Sequence, residues 1–286
     1  MRALVFGASG MLGSAMVRIL SEGDGWEVHG TLRSASTKRF FAPAIAARLH
    51  AGVDVEQQDA LVEILARVRP QLVVNCVGHV KQVETAEHPL RAIPINALLP
   101  HRLAKLCGLV GARLIHISTD CVFAGTLGLY REEDLPDAQD MYGRTKLLGE
   151  VDYPHAVTLR TSIIGHELES AHGLVAWFLS QGSVCKGYTR AIFSGLPTVV
   201  LSAIVRDVVA PRAELRGVYH VAAQPISKYD LLRLVAQTYG KIIDILPDSE
   251  LQVDRSLDSS HFHDATGYVA PNWPELVKTM HKYREA

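Results

Sequence analysis

The sequence has few cysteines and no long apolar run. Its four cysteines are scattered, without a Cys-x-x-Cys pair: Cys76, Cys107, Cys121 and Cys185. This spacing favours reduced thiols in a cytoplasmic protein. The longest apolar stretches, such as LVVNCV and TVVLSAIV, are far shorter than the ~20 residues of a membrane-spanning helix. The opening residues, MRALVFGASG, lack the apolar core of a signal peptide. We therefore expect a cytoplasmic protein with no membrane partner.

An excess of charge of either sign is also lacking. The chain has 29 lysines and arginines against 30 aspartates and glutamates, for a formal net charge of −1. A nucleic-acid-binding protein would usually show a basic excess or a basic stripe, and neither stands out. The 13 histidines include the pair His261 and His263, but no third ligand stands near them in sequence, so no metal site is expected. A homodimer is left open.

Strand-like and helix-like segments alternate through the first part of the chain. The apolar runs RALVFG (2–7), WEVHGTL (26–32), RLIHIST (113–119) and AVTLRTSII (156–164) are typical of buried strands, and the segments between such runs have helical spacing. This alternation predicts an α/β fold, a Rossmann-type doubly wound parallel sheet with helices on both faces. We assign residues 1–165 to this dinucleotide-binding domain.

The alternation loosens after residue 165. We assign residues 166–286 mainly to a smaller C-terminal α/β lobe that binds substrate, and expect residues 195–212 to pack back on the first domain. Within this part, GVYHVA (217–222) predicts a strand and ISKYDLLRLVAQTYG (226–240) predicts a helix.

Three glycines mark the end of the first predicted strand. In GASGMLG, Gly7 and Gly10 would let the backbone turn tightly and approach a pyrophosphate, and Gly13 would let the following helix pack near the sheet. Met11 and Leu12 would place free N–H groups at the helix N-terminus, where a phosphate binds. Outside this context such a triplet would be a plain tight turn, but between a strand and a helix it predicts dinucleotide binding.

The end of the second predicted strand indicates which dinucleotide binds. An NAD site usually has an acidic residue there, to accept a hydrogen bond from the ribose 2′-OH. This strand is instead followed by Arg33 and Ser34, with Lys38 and Arg39 close behind. An arginine suits a 2′-phosphate, so NADP(H) is preferred and NAD(H) is kept as an option. The alternative is a solvated basic loop.

A tyrosine and a lysine stand one helical turn apart in YGRTKLLGE. Tyr142 and Lys146, at i and i+4, share a helix face. A nearby ammonium is expected to lower the pKa of the phenol, which would make Tyr142 a proton shuttle for a carbonyl or an alcohol. Thr119, at the end of the strand RLIHIST, could hold the substrate oxygen. Alone, such a pair would be chance; with the glycine loop and a strand-end threonine it indicates catalysis.

Three motifs together resemble a known family. GASGMLG, STDCVFAG and YGRTKLLGE, in this order, resemble the extended short-chain dehydrogenase/reductases, and more narrowly the dTDP-4-dehydrorhamnose reductase group. Four further stretches are similar to that group: VVNCVGHVKQVETAE (73–87), INALLPHRLAKLC (95–107), LRTSIIG (159–165) and DRSLDSSHF (254–262). The resemblance covers most of the chain.

The resemblance implies an activity and a catalytic triad of Thr119, Tyr142 and Lys146. The implied reaction is reduction of the 4-keto group of a 4-keto-6-deoxy sugar on a nucleoside diphosphate. NADPH would give hydride to C4, and Tyr142 would give a proton to the oxygen. Activated sugars of this kind feed surface polysaccharide synthesis.

Further cofactor contacts are expected near the fourth predicted strand. We assign Asn75, Val77 and Gly78 to the cofactor, together with Tyr142 and Lys146 themselves. Asn96 resembles a residue that supports the catalytic lysine through a water in relatives. A capping or core role for Asn96 is kept as the alternative.

The substrate side departs from the family. Cys121 stands where the rhamnose enzymes have a tyrosine, and Ile163 and Ile164 stand where they have Trp-Val-Tyr. The segment 184–198 is also unlike theirs. These departures lie near the sugar rather than the hydride, so the chemistry should be retained while the sugar or the base differs. A UDP-linked N-acetyl sugar is one option.

Six residues are expected to contact the substrate: Asp120, Cys121, Lys186, Tyr188, Arg190 and Arg255. Forked donors such as Arg190 suit a diphosphate, and a tyrosine could stack on a base. The alternative for Lys186, Tyr188, Arg190 and Arg255 is a solvated surface with incidental charge.

Two rival functions are kept. The first is an epimerase or dehydratase of the same superfamily. Such enzymes usually hold NAD, and dehydratases need an Asp-Glu pair beside the threonine, where this chain has Asp120 and Cys121. The second is a non-catalytic regulatory subunit that binds the dinucleotide. Proteins of that kind tend to lose part of the triad, which this chain retains.

Overall fold

The structure, a computed structural model, describes residues 1–79, 88–169 and 173–284. The greater part of the motif at 73–87 therefore lies outside the described residues. Within the described ranges, no helix is long and apolar enough to span a bilayer.

The central sheet has seven strands, all parallel. They are β1 (Arg2–Phe6), β2 (Glu27–Leu32), β3 (Leu49–Ala51), β4 (Leu72–Asn75), β5 (Arg113–Thr119), β6 (Ala156–Thr161) and β11 (Gly217–His220). Their spatial order is β11-β6-β5-β4-β1-β2-β3. The chain moves outward from β1 to β3 and then returns through β4 to the other side. The crevice of a Rossmann fold therefore lies beyond the carboxyl ends of β1 and β4. The predicted fold class is confirmed.

Helices cover the sheet and build the second lobe. They are α1 (Met11–Ser21), α2 (Pro43–Ala46), α3 (Gln58–Val68), α4 (Pro89–Ala92), α5 (Leu99–Val110), α6 (Met141–Leu148), α7 (Leu174–Ser180), α8 (Thr198–Ile204), α9 (Lys228–Tyr239), α10 (Ser260–Thr266) and α11 (Trp273–Lys282). Two π-helical turns, Ile93–Leu98 and Val205–Val209, join α4 to α5 and extend α8.

Both faces of the sheet are buried, as the alternation of β1 illustrates. Ala3 and Val5 point into a hydrophobic cluster with side chains of α1, α8 and α11. Leu4 and Phe6 point the other way, into a cluster with α3 and α5. Successive side chains of a strand lie on opposite faces, so a strand of unbroken apolar residues requires helices on both.

Seven short strands lie outside the central sheet: β7 (Ile163–Ile164), β8 (Val184–Tyr188), β9 (Ala191–Phe193), β10 (Leu196–Pro197), β12 (Ile226–Ser227), β13 (Asp244–Asp248) and β14 (Val253–Asp254). They form the small sheets β12-β9-β14, β13-β8 and β10-β7. These sheets and α9 make up the lobe beside the carboxyl ends of the central strands.

Two predicted strands differ from the observed ones. The run 156–164 is interrupted at Ser162, because β6 stays in the central sheet while Ile163–Ile164 pairs with β10. The run 217–222, assigned to the substrate lobe, is the edge strand of the central sheet, where β11 pairs in parallel with β6. A short apolar run shows no preference for one sheet over another, so only the tertiary pairing decides this point.

Candidate active site

The first two strands hold the glycine loop in a tight turn. Gly7 has φ of 83°, a left-handed conformation that side chains rarely adopt. Its N–H donates to Thr31 Oγ1 on β2, at 3.2 Å. A Cβ at Gly13 would overlap the carbonyl oxygen of Gly7. Gly7 and Gly13 are therefore both required by the protein's own packing.

Gly10 differs, because no atom of the described residues excludes a side chain there. The nearest atom to an added Cβ would be the Gly7 carbonyl oxygen, at an ordinary 3.5 Å. Gly10 is the N-cap of α1, and it offers no side-chain acceptor to the first N–H groups of the helix. Met11 begins this helix and Leu12 buries its side chain in the core, which leaves their backbone N–H groups for a ligand. A pyrophosphate fits this arrangement of open backbone and free donors.

Arg33 is exposed directly after β2. Within the described ranges its guanidinium makes no hydrogen bond or ion pair. Arg39, by contrast, is paired with Glu169 at 2.6 Å. Ser34 caps the 3₁₀ turn Ala35–Phe40, accepting from the Ser36 N–H. Arg33 is thus exposed at the end of β2, and its contact with a 2′-phosphate stays a prediction.

The loop after β4 carries the other predicted cofactor residues. Asn75 is fully buried; its Oδ1 accepts from the Val77 N–H at 3.1 Å and its Nδ2 lies 3.1 Å from His116 Nδ1. A Cβ at Gly78 would lie 4.0 Å from Lys146 Nζ. A Cβ at Gly7 would lie 3.0 Å from Val77 Cγ2. The loop after β4 therefore lies between the glycine turn and the predicted catalytic lysine.

Thr119 and Tyr142 are brought together from two elements. Thr119 ends β5, and Tyr142 lies in the first turn of α6, which Asp140 caps by accepting from the Gly143 N–H at 2.7 Å. The two side chains lie close enough for the Thr119 hydroxyl to lower the pKa of the Tyr142 phenol. A substrate carbonyl at the same place could take a hydrogen bond from each hydroxyl.

Lys146 lies one turn further along α6 and is 95 % buried, being 5 % exposed. Its Nζ donates to the carbonyl oxygen of Ile117 at 2.7 Å. Burial lowers the pKa of Lys146 to about 8, against the opposing effects of Glu150 and Cys76. Because burial disfavours the charged form, the Lys146 ammonium loses its proton at a lower pH than an exposed lysine does.

The expected effect of Lys146 on Tyr142 is not observed. Burial raises the pKa of Tyr142 above its ordinary value, Cys121 and Asp120 raise it further, and Thr119 lowers it. The Lys146 ammonium is engaged by the Ile117 carbonyl instead. An i,i+4 spacing places two side chains on one face, but it does not fix where their ends point.

Asn96 has a visible structural role. It is buried on the π-helical turn, its Oδ1 accepts from the His79 N–H at 2.9 Å, and its Nδ2 donates to Thr145 Oγ1 at 3.3 Å. It thus ties the loop after β4 to α6, beside Lys146. A water-mediated link from Asn96 to Lys146 stays a prediction.

A buried ion pair behind the triad was not predicted from the sequence. Glu150 and Arg160 meet at 2.7 Å, and Ser118 Oγ donates to Glu150 at 2.7 Å. Arg160 also contacts Nε2 of His220, on β11, at 3.2 Å. Burial and the Arg160 charge lower the pKa of His220 to about 4, so this histidine is neutral. The network joins the segment just after α6 to β5, β6 and β11.

Of the predicted substrate residues, Asp120 and Cys121 contact Thr119, and Arg255 lies on the loop that follows them. Asp120 is buried and accepts from Thr119 Oγ1 at 3.1 Å, and burial raises the pKa of its carboxyl. Arg255 donates from Nε to the carbonyl oxygen of Phe123 at 2.7 Å. Cys121, which follows Asp120, is partly buried, and its N–H donates to Thr119 Oγ1 at 3.2 Å.

The remaining predicted substrate residues lie apart from this cluster. Lys186 and Tyr188 are on the exposed face of β8, and Lys186 is paired with Asp248 at 2.9 Å. Arg190 is exposed just before β9. Within the described ranges, no contact joins any of the three to Thr119 or Tyr142. Their predicted role at the diphosphate stays a prediction.

Lys228 was missed by the sequence reasoning. Its ammonium is close enough to Asp120, Cys121 and Arg255 for their charges to act on it. Ser227 accepts from the Asp230 N–H and so begins α9 at Lys228, a cap that the Ser-x-x-Asp spacing could have indicated. Only the tertiary fold brings this helix start beside β5.

Metal ligands are not assembled near the triad. In the part of the chain that the structure describes, no group of three or more His, Cys, Asp or Glu side chains could hold a metal ion.

The fold and the site define a dinucleotide-binding protein of the short-chain dehydrogenase/reductase class. The chain belongs to the RmlD substrate binding domain family, whose model matches residues 1–282. The resemblance to extended short-chain dehydrogenase/reductases is thereby confirmed, and with it the class of oxidoreductase.

The similar proteins carry names of different functions, a reductase in one case and a subunit of another enzyme in another. The chain is 32% identical over 235 residues to the "probable low-salt glycan biosynthesis reductase" Agl14 of Haloferax volcanii, covering 78% of this chain and 75% of that protein. It is 26% identical over 274 residues to methionine adenosyltransferase 2 subunit beta of Xenopus laevis, covering 88% and 74%. The solved dTDP-4-dehydrorhamnose reductase of Bacillus anthracis, in complex with NADP, shares the fold with a TM-score of 0.79 at 19% identity, covering 98% of each chain.

Proposed function

We propose that this chain reduces the 4-keto group of a nucleoside-diphosphate 4-keto-6-deoxy sugar, with NADPH as the preferred cofactor. The single observation that carries the proposal is the meeting of Thr119 and Tyr142 at the carboxyl end of β5, with Lys146 buried one turn away. The glycine loop at the end of β1 lies two strands along the same edge of the sheet. Family membership supports the reaction class.

The residues divide the work of ketone reduction. When bound, NADPH supplies the hydride for the carbonyl carbon. Thr119 donates a hydrogen bond to the carbonyl oxygen, and Tyr142 transfers its proton to that oxygen, so that ketone, hydride and proton give the alcohol. Lys146, buried one turn further along α6, would hold the cofactor beside Tyr142. The raised pKa of Tyr142 keeps the phenol protonated, as an acid must be before it acts.

NADPH is preferred because of Arg33. The end of β2 has no acidic residue, and the exposed Arg33 guanidinium is available for a 2′-phosphate. Solved structures of similar fold hold NADP or NAD, so the preference rests on Arg33. The sugar remains a 4-keto-6-deoxy sugar linked to dTDP or UDP, including a UDP-linked N-acetyl sugar, and surface polysaccharide is the proposed destination.

A regulatory subunit is the second candidate, because several relatives are named methionine adenosyltransferase 2 subunit beta. In this candidate the chain binds the dinucleotide without turnover. The retained Thr119, Tyr142 and Lys146 favour the enzyme.

The test is consumption of NADPH with dTDP- and UDP-linked 4-keto-6-deoxy sugars made in place by a dehydratase. We expect turnover with at least one nucleotide, and a loss of about 100-fold or more in Tyr142→Phe. Tyr283→Phe removes another tyrosine hydroxyl, one bonded to Glu22 away from the triad, and should behave as wild type. NADPH binding without turnover of any keto sugar would favour the regulatory subunit.

A further inference from the structure

The lobe places two cations over the loop that follows the catalytic strand. Strands β9 and β14 pair Ala191 with Val253, and Arg255 directly follows the end of β14. A Cβ at Gly125 would collide with side-chain carbons of both Val253 and Arg255. One face of this small sheet therefore lies directly on the loop after Thr119, with Arg255 bonded to the carbonyl oxygen of Phe123.

Lys228 reaches the same place from the other edge of that sheet. Strand β12 pairs Ile226 with Phe193 and Ser227 with Ile192, so the chain enters α9 beside Ala191. At this position the Lys228 ammonium is acted on by Asp120, Cys121 and Arg255. Within the described residues it makes no hydrogen bond or ion pair, although burial already lowers its pKa.

The charges at this place do not balance. Lys228 and Arg255 are both cations, and Asp120 is the carboxyl that faces them. Asp120 accepts from Thr119 Oγ1, and within the described residues neither cation makes an ion pair with it. Two partly buried cations beside a single carboxyl favour a ligand that brings negative charge.

We propose, on the basis of the proposed function, that Lys228 and Arg255 form a two-cation subsite for an anionic oxygen group of the sugar nucleotide. This group is either the diphosphate or a carboxylate on the sugar. Either source has the same chemistry, oxygen atoms that accept charge-assisted hydrogen bonds from an ammonium and a guanidinium. Lys228 and Arg255 are thereby specificity-determining residues rather than catalytic ones.

Calorimetric titration of the full chain with UDP-glucose, dTDP-glucose and UDP-glucuronate tests the subsite without turnover. Lys228→Met and Arg255→Met are compared with Lys278→Met, which removes an exposed lysine from α11. Lys228→Arg keeps the charge and should retain most of the affinity. Thermal unfolding checks that each variant is folded.

A loss of about tenfold or more for every ligand in Lys228→Met supports the subsite and identifies the diphosphate. A loss confined to UDP-glucuronate supports it and identifies a sugar carboxylate. The proposal is overturned if both methionine variants bind as Lys278→Met does, or if the wild-type chain binds none of the three ligands. Turnover of keto sugars is measured separately, so a failed reductase and a failed subsite give different results.

Discussion

Tyr142 and Lys146 have different electrostatic surroundings although they stand on one helix face. Burial raises the pKa of Tyr142, while it lowers the pKa of Lys146 to about 8. A protonated phenol is the form that reduction consumes. Thr119 lowers the pKa of the Tyr142 phenol. It would therefore make Tyr142 a stronger acid as well as hold the substrate oxygen.

Lys146→Met should separate stability from activity. Because the folded-state pKa of about 8 lies below the ordinary 10.5, the unfolded chain binds more protons between these values. The free energy of unfolding of the wild type should therefore rise, relative to the variant, as pH increases from about 8 to 10.5. Below pH 8 the variant should be as stable as wild type or more so, and turnover should fall about 100-fold or more.

Urea denaturation across this pH range, for wild type and Lys146→Met side by side, measures the difference. A wild type that loses stability relative to the variant over the same window would contradict the burial of an ammonium at this position.

Arg33→Ala should change the choice of cofactor. Loss of a forked, charged donor to the 2′-phosphate is expected to weaken NADPH binding about tenfold or more and to leave NADH binding unchanged. Arg39→Ala is the matched control, because Arg39 is engaged by Glu169. Titration with both cofactors checks this, and equal losses for NADPH and NADH would remove Arg33 from the 2′ position.

The glycine loop is the element in which packing and ligand binding can be told apart. Gly13→Ala would force Cβ against the Gly7 carbonyl and should lower the free energy of unfolding by about 1–3 kcal/mol. Gly10→Ala meets no such obstacle and should cost less than about 1 kcal/mol, yet weaken NADPH binding. Denaturation and cofactor titration of the two variants measure both effects. Normal NADPH affinity in Gly10→Ala would place the pyrophosphate elsewhere.

Elements with strong local signals were predictable from the sequence. The glycine loop, α6 with its Tyr-x-x-x-Lys face and the strand ending at Thr119 all depend on short-range chemistry, turn geometry and periodicity. Lys228 and the pair Glu150–Arg160 depend instead on elements far apart in sequence. No local pattern shows that α9 starts beside Asp120, or that Arg160 on β6 turns toward Glu150.

The central sheet of the whole molecule takes strands from both parts of the chain. Strand β11 closes its edge beside β6, and Arg160 contacts the fully buried His220 across that junction. Helix α8 and the π-helical turn after it lie against α1. The sequence predicted a boundary near residue 165 because the alternation of strands and helices loosens there. Elements from after residue 165 nevertheless pack against elements from before it. Sequence periodicity alone does not reveal such contacts.

A fragment of residues 1–165 should therefore not fold cooperatively on its own. It would lack β11, leave Arg160 without its His220 contact and expose the face of α1 that α8 covers. Circular dichroism and urea denaturation of the purified fragment, beside the full chain, measure this. A sharp, reversible unfolding transition in the fragment would show that the first part is an independent domain.

The central claim is that this chain moves a hydride from NADPH to C4 of a nucleotide-linked keto sugar. The most direct measurement uses NADPH deuterated at the transferring position, with dTDP- and UDP-linked 4-keto-6-deoxy sugars, and reads the product by mass spectrometry and NMR. We expect one deuterium, at C4, in the product of the wild type and of Tyr283→Phe, and product formed about 100-fold more slowly, or slower still, by Tyr142→Phe. Deuterium at another carbon, or no product from either sugar while NADPH binds, would contradict it.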